Sequence, residues 1–340
     1  MKKLSKRLIQ KIIPILAAIL LLLESSPIRT INNTIKRKTT ISTDIGYVTD
    51  PIKETDTPLY WHIFKSGGSS MKAYYSCMGL VVASRQGIFD HIADETLQVI
   101  EEKSTGHKYV NVDTADIVGM IRAKRLGLAS SGLADIIFSP LLTPASNMFD
   151  AQHQGRFFAL FRHPIERAVS MFYYRQVASW ERDPNVYKPD LAKVDIEDWL
   201  KNRGGKADVS NFLMSSLLGK RYFSEKDLEK AKEILRSKVL VGLLSKMEES
   251  VQRFDTYFGW YENNEKRSKC QESAIQKGVN RNPHESVEEG SEAWELLADL
   301  NYYDLQLYEY ILELYEEQGR ELFGEGVEQK VEESTTITSE

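Results

Sequence analysis

Residues 58–78 of the chain read PLYWHIFKSGGSSMKAYYSCM. The part before Lys65 is aromatic and β-branched, which is typical of a buried strand, and the part from Met71 onward is compatible with a helix. Two glycines between them let the backbone approach an anion, while N–H groups and the helix N-terminus point toward it. The sequence therefore predicts a strand, a tight anion-binding loop and a helix, with the loop formed by Lys65, Ser66, Gly67, Gly68, Ser69 and Ser70.

The position of Lys65 bears on the kind of anion. In the loop that binds nucleoside triphosphates, the lysine follows the glycines, whereas Lys65 precedes them. This order disfavours a kinase.

A second informative stretch, residues 157–174, reads FFALFRHPIERAVSMFYY. Its apolar start predicts a buried strand that delivers Arg162 at the carboxyl edge of a sheet, and Pro164 suits the first turn of a following helix. The guanidinium of Arg162 can donate two parallel hydrogen bonds to a phosphate, and Ser170 offers a hydroxyl two turns into the helix. Arg162 and Ser170 are therefore predicted to bind the same ligand as the loop.

The remaining strand candidates lie at residues 109–112, 135–138 and 239–243, with helical stretches between them. This alternation predicts an α/β protein with a three-layer nucleotide-binding fold, in which helices flank a central parallel sheet. Residues 291–323 carry an apolar stripe at helical spacing and predict one amphipathic helix that packs on the core.

The ends of the chain differ from its centre. Residues 1–25 combine a basic start with an apolar run, which predicts a signal-anchor or a cleaved signal peptide, with the anchor favoured because no small-residue cleavage site follows the run. Residues 26–57 predict a stem or linker with a glycosylation sequon at 32–34. Residues 58–323 predict the main folded domain, and residues 324–340 a disordered acidic tail. The chain after the basic start is acidic, which argues against nucleic-acid binding.

The chain has two cysteines, Cys77 and Cys270, so one disulfide could form in an oxidising compartment, but their spacing does not reveal their state. No pair of histidines occupies one helical turn, and neither cysteine has a nearby second ligand. The sequence therefore predicts no metal requirement.

The two stretches at residues 62–70 and 162–173 resemble the paired motifs of sulfotransferases that use 3′-phosphoadenosine 5′-phosphosulfate, and the similarity is closest to the Golgi carbohydrate-modifying branch. The resemblance implies that residues 65–70 bind the 5′-phosphosulfate, that Arg162 and Ser170 bind the 3′-phosphate, and that Lys65 is catalytic. It further implies a glycan or glycoprotein acceptor and a single-pass Golgi protein with its catalytic domain in the lumen. Phe64 departs from the family pattern, which commonly has proline there.

The general base that should take the acceptor's proton is not identified by this pattern. In the carbohydrate branch it often lies near the strand before the second motif, but residues 135–142 contain no histidine. The alternatives between the motifs are His107, His153, Asp94, Glu95 and Asp135, and none is singled out. Two other functions therefore stay open: a tyrosyl-protein sulfotransferase, and a non-catalytic lumenal binding protein that retains the donor fold.

Overall fold

A computed structural model describes residues 41–85, 91, 93–181, 185–202, 209–260, 264–279 and 283–324 of the 340-residue chain. The predicted signal-anchor, the first part of the predicted stem and all of the predicted tail beyond Gly324 lie outside the described residues. Within the described ranges, no helix is long and apolar enough to cross a membrane.

The described residues form a seven-stranded sheet in the order β3-β4-β2-β5-β1-β6-β7. All neighbouring strands are parallel except the edge strand β3, which is antiparallel to β4. The predicted α/β fold with a central parallel sheet is confirmed. The strands are β1 (Thr57–Trp61), β2 (Val81–Ala83), β3 (Val99–Glu101), β4 (Lys108–Val110), β5 (Ile136–Ser139), β6 (Gly155–Phe161) and β7 (Val239–Leu243).

Helices occupy most of the connections between the strands. They are α1 (Gly68–Met78), α2 (Ile117–Arg125), α3 (Leu128–Ser131), α4 (Leu142–Ser146), α5 (Pro164–Val177), α6 (Ile196–Lys201), α7 (Phe212–Leu218), α8 (Glu225–Lys238), α9 (Met247–Phe258), α10 (Asn264–Cys270), α11 (Glu292–Leu300) and α12 (Tyr302–Phe323). Short 3₁₀ helices occupy Pro189–Lys193 and Leu244–Lys246, and a π-helical turn occupies Gln271–Gln276.

The two faces of the sheet bury separate hydrophobic clusters, which makes the domain three layers thick. Successive strand residues point to opposite faces, so Leu59 and Trp61 pack with α7, α8 and α12, whereas Tyr60 packs with α1 and α9. Because both faces are covered, β6 is buried along its whole length. This accounts for its almost continuous apolar sequence.

The order in which the chain adds strands to the sheet reverses between β1 and β6. After β1 it runs through α1 to β2 on one side, and after β6 it runs through α5 to β7 on the other. The two strands are parallel neighbours, with Tyr60 paired to Phe158, so their carboxyl ends meet at one edge. The connections that leave this edge diverge, and ligands of open α/β sheets bind in such a crevice.

The folded domain includes chain that the sequence analysis assigned to the stem. Ile45 and Val48 are buried, Ile45 forms a bridge with Gly155, and the carboxylate of Asp56 pairs with the buried guanidinium of Arg156 at 2.8 Å. Ile45, Val48 and Asp56 therefore hold residues 41–56 on the domain, although residues 51–55 are exposed, and the domain begins before residue 58.

The sequence predicted one helix over residues 291–323, but the structure has two, α11 and α12. They join at the buried Asn301, whose side-chain amide donates to the carbonyl of Leu297 and whose side-chain oxygen accepts the N–H of Asn211. These side-chain bonds compete with regular helical bonding, which ends α11 and starts α12.

Candidate functional site

The predicted anion loop has a tightly constrained backbone. Gly67 has a φ of 82° and Lys65 a φ of 66°, and the latter is uncommon for a residue with a side chain. Gly68 lies against His62, because a Cβ at Gly68 would come within 2.1 Å of the imidazole Cδ2. Strained backbone of this kind concentrates at binding sites, and here it sets the course of the chain into α1.

Two serine hydroxyls lie at or beside the N-terminus of α1. The hydroxyl of Ser70 accepts the N–H of Val279 at 2.9 Å, which leaves its own proton available for a ligand. The hydroxyl of Ser66 is fully buried and has no hydrogen-bond partner among the residues that the structure describes. An orphaned buried donor beside a helix N-terminus fits an anion such as a phosphate or sulfate group.

Arg162 reaches the same loop from the end of β6. Its Nη1 donates to the carbonyl oxygen of Lys65 at 3.3 Å, and its Nε pairs with Glu166 at 3.2 Å. Ser170, on the face of α5 that lies toward the crevice, is 5% exposed and lines the same cleft. The topology thus places the two predicted motifs at one site.

Lys65 stands at the centre of this site. Its ammonium lies 3.8 Å from the ring centroid of Tyr174, a residue one turn beyond Ser170 on α5. Burial, and after it the charge of Arg162, lowers the pKa of Lys65 to about 8 against the opposing charge of Glu181. Lys65 is therefore mostly protonated at neutral pH but titrates only about one unit above it.

The cleft has a volume of about 1510 Å³, and more basic than acidic residues line it in the described part of the chain. Besides Lys65 and Arg162, it is lined by Lys72 and Arg85. Burial also lowers the pKa of Lys72, with Glu181 raising it and Arg85 lowering it. Cations gathered in a cleft focus a positive potential, which favours an anionic ligand.

Seven of the eight predicted site residues line this cleft. They are Lys65, Gly67, Gly68, Ser69, Ser70, Arg162 and Ser170. Ser66 lies beneath them as the buried residue of the loop. Their roles toward a ligand stay predictions, but the fold brings all eight together.

Phe64, which departs from the family pattern, is 42% exposed and lines the cleft. The two motif histidines lie beside the loops. Burial lowers the pKa of His62 to about 4, helped by the charges of Lys72 and Lys65, so its ring is neutral where it packs on Gly68. His163 stacks on Trp294 with ring centroids 5.5 Å apart.

Several cleft residues were not identified from the sequence. Tyr174 and Lys72 lie within the quoted stretches, and the four-residue spacing of Ser170 and Tyr174 along α5 was a usable signal. Trp180 and Glu181 lie beyond the end of α5, where no periodicity marks them.

The five residues that the sequence analysis named as candidate general bases do not belong to the described lining of the cleft. His153 pairs with Asp150, Asp94 accepts hydrogen bonds from Gln98 and Asn111, and Asp135 accepts the N–H of Val81. Glu95 and His107, like these three, are absent from the described lining of the cleft.

A disulfide joins Cys77 at the end of α1 to Cys270 at the end of α10. The segment that follows Cys270 contributes Ile275, Gln276 and Val279 to the cleft wall. The bridge therefore ties this wall to the helix whose N-terminus forms the anion loop. In the part of the chain that the structure describes, no group of three or more His, Cys, Asp or Glu residues is placed to hold a metal ion.

Comparisons with known proteins are sparse. No protein-family model matches the sequence, and no curated protein matches it. Among solved structures, the chain is similar to mouse sulfotransferase SULT7A1 complexed with PAP, with 15% sequence identity and a TM-score of 0.37 over 87% of this chain and 94% of that one. At this score the likeness carries no argument about function, so the geometry of the cleft must support any assignment.

Proposed function

We propose that this chain is a sulfotransferase that moves a sulfuryl group from 3′-phosphoadenosine 5′-phosphosulfate to a hydroxyl on a glycan. The observation that carries the proposal is the meeting of the loop at residues 65–70 with Arg162 and Ser170 at the switch point of the sheet. A donor with anionic groups at both its 5′ and 3′ ends needs two such sets of contacts. The loop and the N-terminus of α1 suit the 5′-phosphosulfate, and Arg162 with Ser170 suits the 3′-phosphate.

Lys65 supplies the charge that the reaction requires. Sulfuryl transfer resembles phosphoryl transfer in needing in-line geometry and stabilisation of the leaving group, with little covalent work for the protein. A protonated Lys65 neutralises the charge that develops on the departing 5′-phosphate oxygen. A preorganised donor of this kind is typically worth about 3 kcal/mol of transition-state stabilisation.

A glycan acceptor is supported by exposed aromatic rings at the cleft. Trp180 is 57% exposed and Phe64 is 42% exposed, and both line the cleft. Small-molecule sites combine apolar and aromatic surfaces with a few placed polar groups, and the apolar faces of a sugar can stack on such rings. A tyrosine side chain could use the same rings, so a tyrosyl-protein acceptor is the second candidate.

The proposal includes a location in the Golgi lumen, with the membrane contacted through residues 1–25. The Cys77–Cys270 disulfide supports an oxidising compartment, because cytosolic proteins seldom keep such bonds. The basic and apolar N-terminal pattern supports a type II orientation with the catalytic domain in the lumen.

A transfer assay tests this function. The purified chain, supplied with labelled donor, should sulfate a member of a glycan panel, and Lys65→Ala should reduce the rate about 100-fold or more. Lys232→Ala, which removes a cation from α8 away from the cleft, is the matched control and should be unaffected. Sulfation of tyrosine peptides alone would refute the glycan assignment, and donor binding without transfer to any acceptor would favour the non-catalytic binder.

A further inference from the structure

Glu181 occupies an unusual position beyond the end of α5. Its carboxylate accepts a short hydrogen bond from the hydroxyl of Tyr174, and it lines the cleft while remaining partly buried. The ring of that tyrosine lies beneath the ammonium of Lys65 at 3.8 Å. A tyrosine thus joins the carboxylate to the lysine at the centre of the site.

Three carboxylates line the cleft in the described part of the chain, and Glu181 is distinguished from the other two. Glu249 is paired with Arg253 at 2.8 Å, and Glu248 accepts from the side-chain amide of Gln276 at 3.4 Å. Among the described residues, Tyr174 donates to one carboxylate oxygen of Glu181, Oε1, and the second oxygen can accept a further hydrogen bond.

Arg162 and Glu181 act on Lys65 with opposite sign, and Glu181 acts on Lys72 as well. Arg162 belongs to the predicted donor side. A carboxylate on the donor side would repel the phosphates, so Glu181 is suited to the acceptor side.

We propose that Glu181 is the general base that takes the proton from the acceptor hydroxyl, with Tyr174 as the residue that positions it. The inference rests on the proposed sulfotransferase function. As the acceptor oxygen bonds to sulfur, its proton passes to the free oxygen of Glu181. The bond between sulfur and the bridging oxygen breaks, and its electron pair leaves on the 5′-phosphate, which faces Lys65.

The test compares Glu181→Gln with Glu233→Gln, which removes the same charge from α8, outside the described lining of the cleft. A positioned base contributes about 100-fold to 10,000-fold, so Glu181→Gln should lose at least about 100-fold in kcat. Its affinity for adenosine 3′,5′-bisphosphate should be unchanged or higher, because a negative charge has been removed. Glu233→Gln should keep both properties.

Two further variants separate a base from a residue that only shapes the cleft. Tyr174→Phe keeps the carboxylate and should lose about tenfold or less, in line with one lost hydrogen bond. Formate, a small carboxylate, should partly restore transfer by Glu181→Ala. The role of Glu181 would be overturned if Glu181→Gln still transferred sulfate at the normal rate. It would also be overturned if Tyr174→Phe lost as much activity as Glu181→Gln and formate gave no rescue. Either result would leave the proposed function standing. Absence of transfer by the unaltered chain would overturn the proposed function, and this role with it.

Discussion

The lowered pKa of Lys65 makes ligand binding depend on pH just above neutrality. Burial brings the pKa to about 8, so about nine tenths of the side chains are charged at pH 7 and about one tenth at pH 9. If the bound anion requires the charged form, affinity for adenosine 3′,5′-bisphosphate should fall about tenfold from pH 7 to pH 9, which equals about 1.4 kcal/mol. Affinity falls with rising pH because a lysine loses its positive charge as the pH rises through its pKa.

The assay is a calorimetric titration of the bisphosphate at pH 7, 8 and 9. The phosphates of the ligand are almost fully ionised over this range, since their second pKa is about 6, so the protein dominates the change. Lys65→Arg is the matched variant because arginine stays charged, and its affinity should be nearly flat with pH. The reasoning would be refuted if the unaltered chain showed no decline, or if Lys72→Arg removed the decline and Lys65→Arg did not.

Two further predictions concern the scaffold of the site. Cys77→Ser should lower the free energy of unfolding by about 2–5 kcal/mol, because the bridge closes a loop of 193 residues, and it should weaken bisphosphate binding by releasing the wall that follows Cys270. Denaturant melts with and without reductant check this, and a reductant-insensitive melt would contradict it. Gly68→Ala should reduce bisphosphate affinity at least about tenfold, because its Cβ would collide with His62, and the double variant with His62→Ala should recover part of the loss. Equal affinity of Gly68→Ala and the unaltered chain would show that the loop has room to adjust.

The sequence predicted the fold well where a local pattern was strong. Strand β7 lies where the apolar run at residues 239–243 placed it, and β6 carries Arg162 to the sheet edge as its apolar stretch indicated. Strands β2 and β3 were not predicted, since each has three residues and shows no period, whereas β4 is equally short but overlaps the candidate at residues 109–112. The packing of residues 41–56 was also missed, since it depends on the distant Arg156 rather than on local pattern.

For the site, the two motifs could be assigned from the sequence because each lies directly after a buried strand. What the sequence does not show is the order of strands that makes β1 and β6 neighbours, and therefore the contact of Arg162 with Lys65. Glu181 could not be found in this way, since it meets Tyr174 only after the chain leaves α5. The pairing of Cys77 with Cys270 likewise depends on how α10 folds back onto α1.

The central claim is that the loop at residues 65–70 and the pair Arg162 and Ser170 bind the two anionic ends of one nucleotide. The most direct measurement is a titration of the purified chain with adenosine 3′,5′-bisphosphate, adenosine 5′-phosphate and ATP. A charged hydrogen bond contributes about 1.5–3 kcal/mol, so the bisphosphate should bind at least about tenfold more tightly than the 5′-phosphate, and Arg162→Ala should abolish this advantage. Equal binding of the two adenosine phosphates, tighter binding of ATP, or an advantage that survives in Arg162→Ala would contradict the claim.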